Sequence, residues 1–395
     1  MQIEDVVILV GGKGSRLGNI TKKIPKPLIK INNKMFLDQL ISKLIRYNFK
    51  IIYLLCSYKK EFFFRNYNNK FFHNSKIICI DEGKPKGTCG ALYGLKKKIK
   101  KNFLLLNGDT YFDIDFNYLI NKKLSNKSIF MALSNKHKSI NNNIMNNLEI
   151  KNGIVQIAKT KTNIMNGGVY IVNIKILKKI KNIFLSFEND ILKKEIKKKL
   201  VIGKYFKNFF IDIGSKQKLE LIKKKPNLLQ SKCFFLDRDG VINKEVGYIK
   251  DFKKFRFLKG VHSAIKYLNI KNFLVIIITN QAAVGKGIIT EKELNYLHNK
   301  MKKILSKRNL SIVDDIFYSS YFKDSKKLKF RKNKFDRKPY SGMILKAAKK
   351  WNIDLMSSYF IGDKITDKFA AEKVNLKFYF KKNTSLYKQV KSIIK

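Results

Sequence analysis

Cysteine, acidic side chains and long apolar runs are all scarce in this chain, and each scarcity closes off a class of protein. The four cysteines, Cys56, Cys79, Cys89 and Cys233, stand apart with no C-x-x-C pair, so neither a disulfide framework nor a thiolate metal site is indicated. The longest apolar runs, such as Phe273 to Ile278, are far too short to span a bilayer. The opening residues, Met1-Gln2-Ile3-Glu4-Asp5, carry acid where a signal peptide carries base. A cytosolic protein with no membrane partner is therefore expected. Asp and Glu number 29 against 84 Lys and Arg, a net charge of +55. Such a balance raises nucleic-acid binding, but the lysines run along the whole chain, as at Lys96-Lys97-Lys98 and Lys197-Lys198-Lys199, and are not gathered into one arm or helix face. No nucleic-acid partner is expected, and the positive field favours anionic, phosphorylated substrates.

What is present is an α/β rhythm. At 395 residues and 45% hydrophobic content the chain is long enough for two domains with separate cores. Strands are expected at Val6 to Val10, Ile51 to Cys56, Lys76 to Ile80, Phe103 to Leu106, Val169 to Val172 and Phe209 to Ile213, with helices at Met35 to Tyr47 and Lys216 to Lys224. Asn141 to Asn147 reads as a polar loop or insertion. The helix at 216 stops at Pro226, which places a first domain at 1–225, a linker at 226–231 and a second domain at 232–395. The second half repeats the alternation, with strands near 234, 273–279, 316–319 and 359–362 and helices near 261–268, 291–305 and 343–351. Alternating strands and helices imply mostly parallel sheets with helices on both faces, a Rossmann-like three-layer α/β architecture in each domain.

The second domain opens on Phe234-Phe235-Leu236-Asp237-Arg238-Asp239-Gly240. An apolar run ends in two aspartates one residue apart, followed by a turn-forming glycine. In an open α/β sheet that position lies where ligands bind. Two crowded carboxylates repel each other, and a divalent cation relieves the repulsion; a polar turn after a core strand is the bland alternative. In the first domain Gly11-Gly12-Lys13-Gly14-Ser15-Arg16-Leu17-Gly18 follows a strand. It lacks the third glycine of a dinucleotide fingerprint and the Lys-Ser/Thr pair of a P-loop. Backbone N–H groups in such a loop can cradle phosphate, or the glycines can simply make a turn.

The company of that loop is more specific. With Pro25-Lys26-Pro27-Leu28, Gly87-Thr88-Cys89-Gly90-Ala91-Leu92, Asn107-Gly108-Asp109, Asn166-Gly167-Gly168-Val169-Tyr170 and Phe210-Ile211-Asp212-Ile213-Gly214, residues 1 to about 225 resemble the sugar-1-phosphate nucleotidyltransferases. Ser15 stands where those enzymes usually have Thr. The resemblance implies a glycosyltransferase-A-like fold and attack of a sugar 1-phosphate oxygen on the α-phosphorus of a nucleoside triphosphate, which needs charge neutralisation and alignment. It further implies that Gly11, Gly12, Gly14, Ser15 and Arg16 bind nucleotide, that Arg16 and Lys26 stabilise phosphate charge, and that Gly87 lets the base lie on the backbone. Asp109 and Asp212 would hold Mg²⁺. Asn166, Gly167 and Lys159 would meet the sugar phosphate, although Ala158 occupies a position where many members carry Glu.

Asp237-x-Asp239-Gly240, Thr279-Asn280-Gln281, Arg337-Lys338-Pro339 and Gly362-Asp363-x-x-x-Asp367 resemble, in that order, the haloacid-dehalogenase-type phosphatases. Gly247-Tyr248-Ile249 and Gly342-Met343 bring the match closer to the D-glycero-D-manno-heptose 1,7-bisphosphate 7-phosphatases, from about 232 to 380. The resemblance implies Asp237 as nucleophile and Asp239 as acid and base. Thr279 and Lys338 would bind the phosphoryl oxygens. Mg²⁺ would be held by Asp237, Asp239 through its carbonyl, and Asp363, with Asn280, Lys286 and Arg337 as substrate contacts. Many such enzymes carry a Cys/His zinc loop before Arg-Lys-Pro. Ser319 to Asp336 has neither residue, so no structural zinc of that kind is expected.

Together the resemblances imply consecutive steps: a phosphatase that makes heptose 1-phosphate and a nucleotidyltransferase that joins it to a nucleotide, GMP from GTP. The expected partners are a phosphosugar and a nucleoside triphosphate, and the product feeds surface-polysaccharide assembly. Two alternatives stand beside this. One is a histidinol-phosphate phosphatase fused to a different sugar nucleotidyltransferase, since that activity shares the second motif order. The other is a basic polyanion-binding protein with vestigial motifs, which predicts clustered Lys/Arg with interleaved aromatics and eroded catalytic aspartates.

Overall fold

A computed structural model describes residues 3–47, 49–72, 74–83, 86–135, 147–181, 183–309 and 311–394. Most of the Asn-rich stretch read as a loop, 141–146, lies outside the described residues. The chain forms two compact α/β units, Met1–Leu229 and Gln230–Lys395. At the end of the first, the turn Pro226–Leu229 follows helix Lys216–Lys224. Leu229 is buried in a cluster with Leu219 and Ile222 of that helix.

The first unit is built on a ten-stranded sheet. Asp5–Leu9 lies between Ile51–Cys56 and Phe103–Asn107, parallel to both, and Ser75–Asp81 extends the parallel run beyond Ile51–Cys56. These strands are apolar at nearly every position because both faces are covered. Val7, Tyr53 and Leu105 pack in one core cluster with Leu92, Leu95 and Leu177. Their neighbours Val6, Ile8, Leu54 and Leu104 are equally buried. Beyond this centre the sheet departs from the expected mostly parallel pattern. Ile164–Val172 runs antiparallel to Phe103–Asn107 and to Ile129–Asn135, so the sheet is mixed. Its far edge is a hairpin, Leu148–Lys151 with Ile154–Ile157. Asn152 and Gly153, both at positive φ, form its two-residue turn, the Asn-Gly signature of a tight hairpin. An antiparallel strand needs no long crossover, which is why this flank escapes a reading based on strand–helix alternation.

The second unit carries a five-stranded parallel sheet in the order Asp315–Ser319, Leu274–Asn280, Cys233–Leu236, Tyr359–Gly362, Lys377–Phe380. The strand that precedes Asp237 is thus central, and the strands ending at Asn280 and Gly362 flank it on either side. Phe234, Leu236, Val275 and Ile277 pack on helices Val261–Ile270 and Leu386–Ile393. Lys377–Phe380 is an edge strand with mostly exposed side chains, so burial left little mark on its sequence. Among the described residues, no helix is long and apolar enough to cross a membrane.

The stretch Ser319 to Asp336, free of Cys and His, is ordered by packing and hydrogen bonds. Phe330 is buried against Ala283, Val284, Ile289 and Leu294. Phe322 N–H donates to the Phe330 carbonyl at 3.0 Å, and Arg331 Nε donates to the Ser325 carbonyl at 2.6 Å. One ring therefore anchors the loop that leads into Arg337 and Lys338. Phe330→Ala should remove ~3 kcal/mol of local stability, the low end for a core phenylalanine because the ring is slightly exposed. Tryptic cleavage between Lys323 and Lys334 is expected to rise by on the order of 100-fold through local opening, while a zinc chelator leaves wild-type cleavage unchanged. Equal cleavage of variant and wild type would show that the ring does not anchor the loop.

Candidate active sites

In the first unit, the register Leu9 beside Asn107 brings the glycine loop and Asn107-Gly108-Asp109 to one edge of the sheet. A Cβ on Gly108 would sit 2.7 Å from the Leu9 carbonyl, so only glycine permits the approach. Short strands Thr110–Phe112 and Phe210–Asp212 pair antiparallel with Asp212 opposite Thr110. Asp109 and Asp212, about a hundred residues apart in sequence, thus line one cleft of about 720 Å³. Lys26 Nζ lies 2.5 Å from Asp109 Oδ2, and Lys218 pairs with Asp212. Burial works to raise the Asp109 pKa, but the charge and hydrogen bond of Lys26 outweigh it and the net shift is downward.

Arg16, Gly11, Gly12, Gly87 and Asn166 line the same cleft. Gly12 has open space where a Cβ would stand, which leaves its backbone accessible to a phosphate. At Gly87 (φ +73) the corresponding face is filled by the Leu185 carbonyl at 2.4 Å. A side chain is therefore excluded at Gly87, whose backbone itself lines the cleft. Gly14, at φ +64, shapes the turn, and Ser15 is exposed; neither lines the cleft. Gly167 packs against Phe112 and the Ala132 carbonyl, and Lys159 is exposed, so these two proposed sugar contacts also lie outside its lining. Lys13, Glu82, Glu188 and Lys218 line it without having been singled out in the sequence. A lysine carries no signal in so basic a chain, and Glu82 and Glu188 belong to no glycine-marked motif.

In the second unit the parallel register sets three strand ends side by side. Asp237, Asp239, Thr279, Asn280, Gln281, Arg337, Lys338 and Asp367 line a cleft of about 480 Å³. Lys338 is 3% exposed. Its ammonium lies 2.8 Å from Asp237 Oδ1 and 2.5 Å from Asp367 Oδ1, and donates to the Ile278 carbonyl at 3.0 Å. Burial alone would lower the Lys338 pKa, but the two carboxylates reverse this and raise it. Burial raises Asp237, with Lys338 opposing. Asn280 lines the cleft, and its amide bonds Lys338. Its Oδ1 accepts from Lys338 N–H and its Nδ2 donates to the Lys338 carbonyl, each at 3.0 Å. That makes Asn280 a brace for Lys338, with a second amide N–H beyond these bonds.

Asp237, Asp363 and Asp367 present carboxylate oxygens within 4.8 Å of one another. Asp363 Oδ1 is buried with no hydrogen-bond partner. Lys338 is the buried ammonium among these three carboxylates, and the nearby Lys364 is paired with Glu245; the surplus negative charge makes a donor set that fits a divalent cation. Asp367 was visible only as part of a motif; its contact with Lys338 needed the fold. The Asp239 side chain stands apart from this group, accepting from Arg238 Nη2 at 2.8 Å, Asn243 Nδ2 at 2.9 Å and Gln281 Nε2 at 2.9 Å. Burial works to raise Asp239, yet these partners, the Arg238 charge foremost, bring its pKa below the ordinary value. Arg238 is itself buried and its Nη1 lies 3.1 Å from His298 Nε2. A guanidinium has no acceptor, so His298 Nε2 is unprotonated, and burial with the Arg238 charge pushes this imidazole down to about 3. Thr279 Oγ1 accepts from Gln281 Nε2 at 2.8 Å, leaving its own O–H to donate. Arg337 is half-buried with one long bond to the Tyr321 carbonyl, 3.4 Å. Lys286 is exposed outside the cleft lining, its ammonium 5.4 Å from the ring of Tyr248, which does line it.

Two α/β units, each with acidic and basic side chains gathered at strand ends, define a pair of phosphoryl-handling sites on one chain. Residues 5–227, more than half the chain, match the family model described as nucleotidyl transferase, and residues 232–386 match that described as polynucleotide kinase 3 phosphatase. The second unit is 34% identical to the D-glycero-β-D-manno-heptose-1,7-bisphosphate 7-phosphatase of Haemophilus ducreyi, over 37% of this chain and 80% of that protein. It is 37% identical to the α-anomer enzyme of Photorhabdus laumondii, over 37% of this chain and 79% of that one. The crystal structure of HddC from Yersinia pseudotuberculosis complexed with GMP-PN is 30% identical, covers 56% of this chain and 99% of its own, and has a TM-score of 0.47. The chain belongs to the nucleotidyl transferase family and is a fusion of such an enzyme with a heptose-1,7-bisphosphate 7-phosphatase.

Gly240 gives a direct test of the acidic site. It stands at φ +82, and a Cβ there would lie 2.2 Å from Asp363 Oδ2. Gly240→Ala adds left-handed strain of ~1–2 kcal/mol to this clash and displaces Asp363. Phosphate release is expected to fall by at least ~100-fold, as for a loss of ~3 kcal/mol of transition-state stabilisation. Pyrophosphate release should stay at the wild-type rate. An active variant would show that Asp363 does not need its present position.

Proposed function

We propose that the second unit removes the 7-phosphate from D-glycero-D-manno-heptose 1,7-bisphosphate through an aspartyl-phosphate, and that the first transfers GMP from GTP to the resulting heptose 1-phosphate. The observation that carries the phosphatase reading is Asp237, buried at the central strand end with Lys338 at 2.8 Å and the orphan oxygen of Asp363 beside it. In this reading an Asp237 carboxylate oxygen attacks phosphorus and the bond from phosphorus to the sugar O7 breaks. Asp239 delivers the proton that O7 takes up. Water then attacks the phosphorus and gives its proton to Asp239, and the bond to Asp237 breaks to release phosphate. Asp239 rests in the carboxylate form that the second step uses, so it must gain a proton before the first. Lys338 and the Thr279 hydroxyl hold phosphoryl oxygens while charge develops on them. A Mg²⁺ held by Asp237, Asp363 and the Asp239 carbonyl would supply charge screening between nucleophile and phosphate.

In the first unit, Lys13, Arg16, Lys26 and Lys218 are the cations for the polyphosphate, and Asp109 and Asp212 offer oxygens for Mg²⁺. The heptose 1-phosphate oxygen attacks the α-phosphorus and pyrophosphate leaves. Guanosine is favoured by Glu82, whose carboxylate lies at the cleft beside Gly11: a Cβ on Gly11 would be 2.8 Å from Glu82 Oε1. A carboxylate accepts from the guanine N1–H and N2–H₂ together, whereas adenine offers an acceptor at N1. Both substrates are cytoplasmic metabolites in this reading, and that is where we place the protein.

Full-length protein with Mg²⁺, each anomer of heptose 1,7-bisphosphate and each nucleoside triphosphate should release phosphate and, with GTP, pyrophosphate. Asp237→Asn should abolish phosphate release and leave pyrophosphate release from supplied heptose 1-phosphate; Asp109→Asn should do the converse. No phosphate from either anomer sinks the phosphatase reading. Glu82 adds a pH signature. Burial foremost, with Asp81 assisting, raises its pKa to about 7. Above that value the carboxylate is ionised and accepts both guanine donors; below it, protonation removes an acceptor. KM for GTP should therefore rise as pH falls through about 7, and in Glu82→Gln be high and flat across the same range. A wild-type-like pH profile in that variant would remove Glu82 from base recognition.

A further inference from the structure

Glu188 is the carboxylate in the first cleft that the proposed chemistry leaves unused. It sits in a π-helical turn, Phe187–Leu192, where Ser186 Oγ accepts from Asn189 N–H at 3.2 Å. Such turns interrupt regular winding and are frequent at functional positions. Neutral groups hold its carboxylate. Asn166 Nδ2 donates to Oε1 at 3.1 Å, Tyr170 O–H approaches the same oxygen at 3.5 Å, and the Asn107 side chain adds a further hydrogen bond. These donors are themselves fixed. Asn166 Oδ1 accepts from Gly168 N–H at 2.9 Å, and Tyr170 is buried edge-on against Phe187 with ring centroids 5.0 Å apart.

Among the described residues no lysine or arginine pairs with Glu188, although the chain has 84 of them and Lys13, Arg16, Lys26 and Lys218 line the same cleft. Asp109 lies close enough to repel it, and burial with that repulsion raises its pKa. In a cleft for polyanions an unpaired carboxylate opposes binding unless the ligand brings neutral donors to it. The portion of a sugar phosphate that carries neutral O–H donors is its ring and side-chain hydroxyls.

We propose that Glu188, braced by Asn166, Tyr170 and Asn107, accepts a hydrogen bond from a hydroxyl of the sugar 1-phosphate and thereby selects the sugar. Asn166 is then a positioning residue, both of whose amide atoms are engaged within the protein. This proposal rests on the nucleotidyltransferase reading of the first unit and assigns the part of the site that distinguishes sugars.

The test uses the full chain with Mg²⁺, GTP and a panel of heptose, mannose and glucose 1-phosphates with their monodeoxy analogues, followed by pyrophosphate release. Glu188→Gln should raise KM for the preferred sugar 1-phosphate by on the order of 10- to 100-fold, as for the loss of one hydrogen bond to a charged group. KM for GTP should stay within about twofold, since no nucleotide contact is removed. Wild type should discriminate against one deoxy analogue by a similar factor, and Glu188→Gln should not, because the carboxylate that reads the hydroxyl is already absent. If Glu188→Gln lowers the melting temperature too far for assay, Glu188→Asp and the wild-type deoxy series carry the same comparison. An unchanged sugar KM, an equal loss with every analogue, or a shift confined to GTP or to the Mg²⁺ dependence overturns the assignment. Absence of pyrophosphate from every sugar 1-phosphate with wild type is the separate result that overturns the nucleotidyltransferase reading itself.

Discussion

A single buried ammonium sets the geometry of the second unit. Lys338 comes from a loop some hundred residues after Asp237, and it is desolvated almost completely. An isolated charge in that position is costly, and it persists because two carboxylates and a carbonyl surround it. The same contacts fix Asp237 and orient Asp367 at the N-terminus of helix Ile365–Glu372, where its Oδ2 accepts from Lys364 N–H at 3.0 Å. Asn280 then locks the Lys338 backbone from the neighbouring strand. Removing either charge type would leave the other buried and uncompensated, so catalytic and structural demands coincide at one atom.

The two units meet the problem of concentrated charge differently. In the second, three carboxylates share one lysine, and the residual charge suits a divalent cation. In the first, Asp109 and Asp212 each hold a separate lysine, and both lysines line the cleft with Arg16. That arrangement keeps cations stored beside the carboxylates, within reach of an incoming polyphosphate. The general excess of lysine adds a long-range attraction for anionic substrates, but affinity at either site depends on these few placed charges. Glu82 and Glu188 run against the prevailing sign of the chain, and among the described residues neither has a lysine or arginine in a salt bridge, unlike Asp109 and Asp212.

Loop architecture in the second unit rests on packing and hydrogen bonds. The stretch before Arg337 is held by Phe330 in a small apolar cluster and by Arg331 on the Ser325 carbonyl. Arg337, half-buried at the end of this loop with one long carbonyl contact, keeps donors free for an anion.

Local sequence was enough for the strand ends. Uninterrupted apolar runs stopping at Asp237, Asn280, Asp109 and Asp212 announced where ligands meet an α/β sheet, because strand burial and the exit from the sheet are written in consecutive residues. The mixed flank of the first sheet was not read, although Asn152-Gly153 carried a hairpin signal, since strand–helix alternation dominated that reading. The packing of Gly167 and the bracing of Lys338 by Asn280 were also beyond a local reading. Whether a glycine faces a ligand or a neighbouring carbonyl, and whether an amide meets substrate or backbone, depends on segments far away in the chain. Likewise Glu82, Glu188 and Lys218 became visible only as cleft residues, since in a chain this basic a lysine does not stand out and neither glutamate belongs to one of the glycine-marked motifs. Residue type and order determined the chemistry of the two sites; the partner of each charge was decided by strand register and loop packing, which bring distant residues within hydrogen-bonding distance.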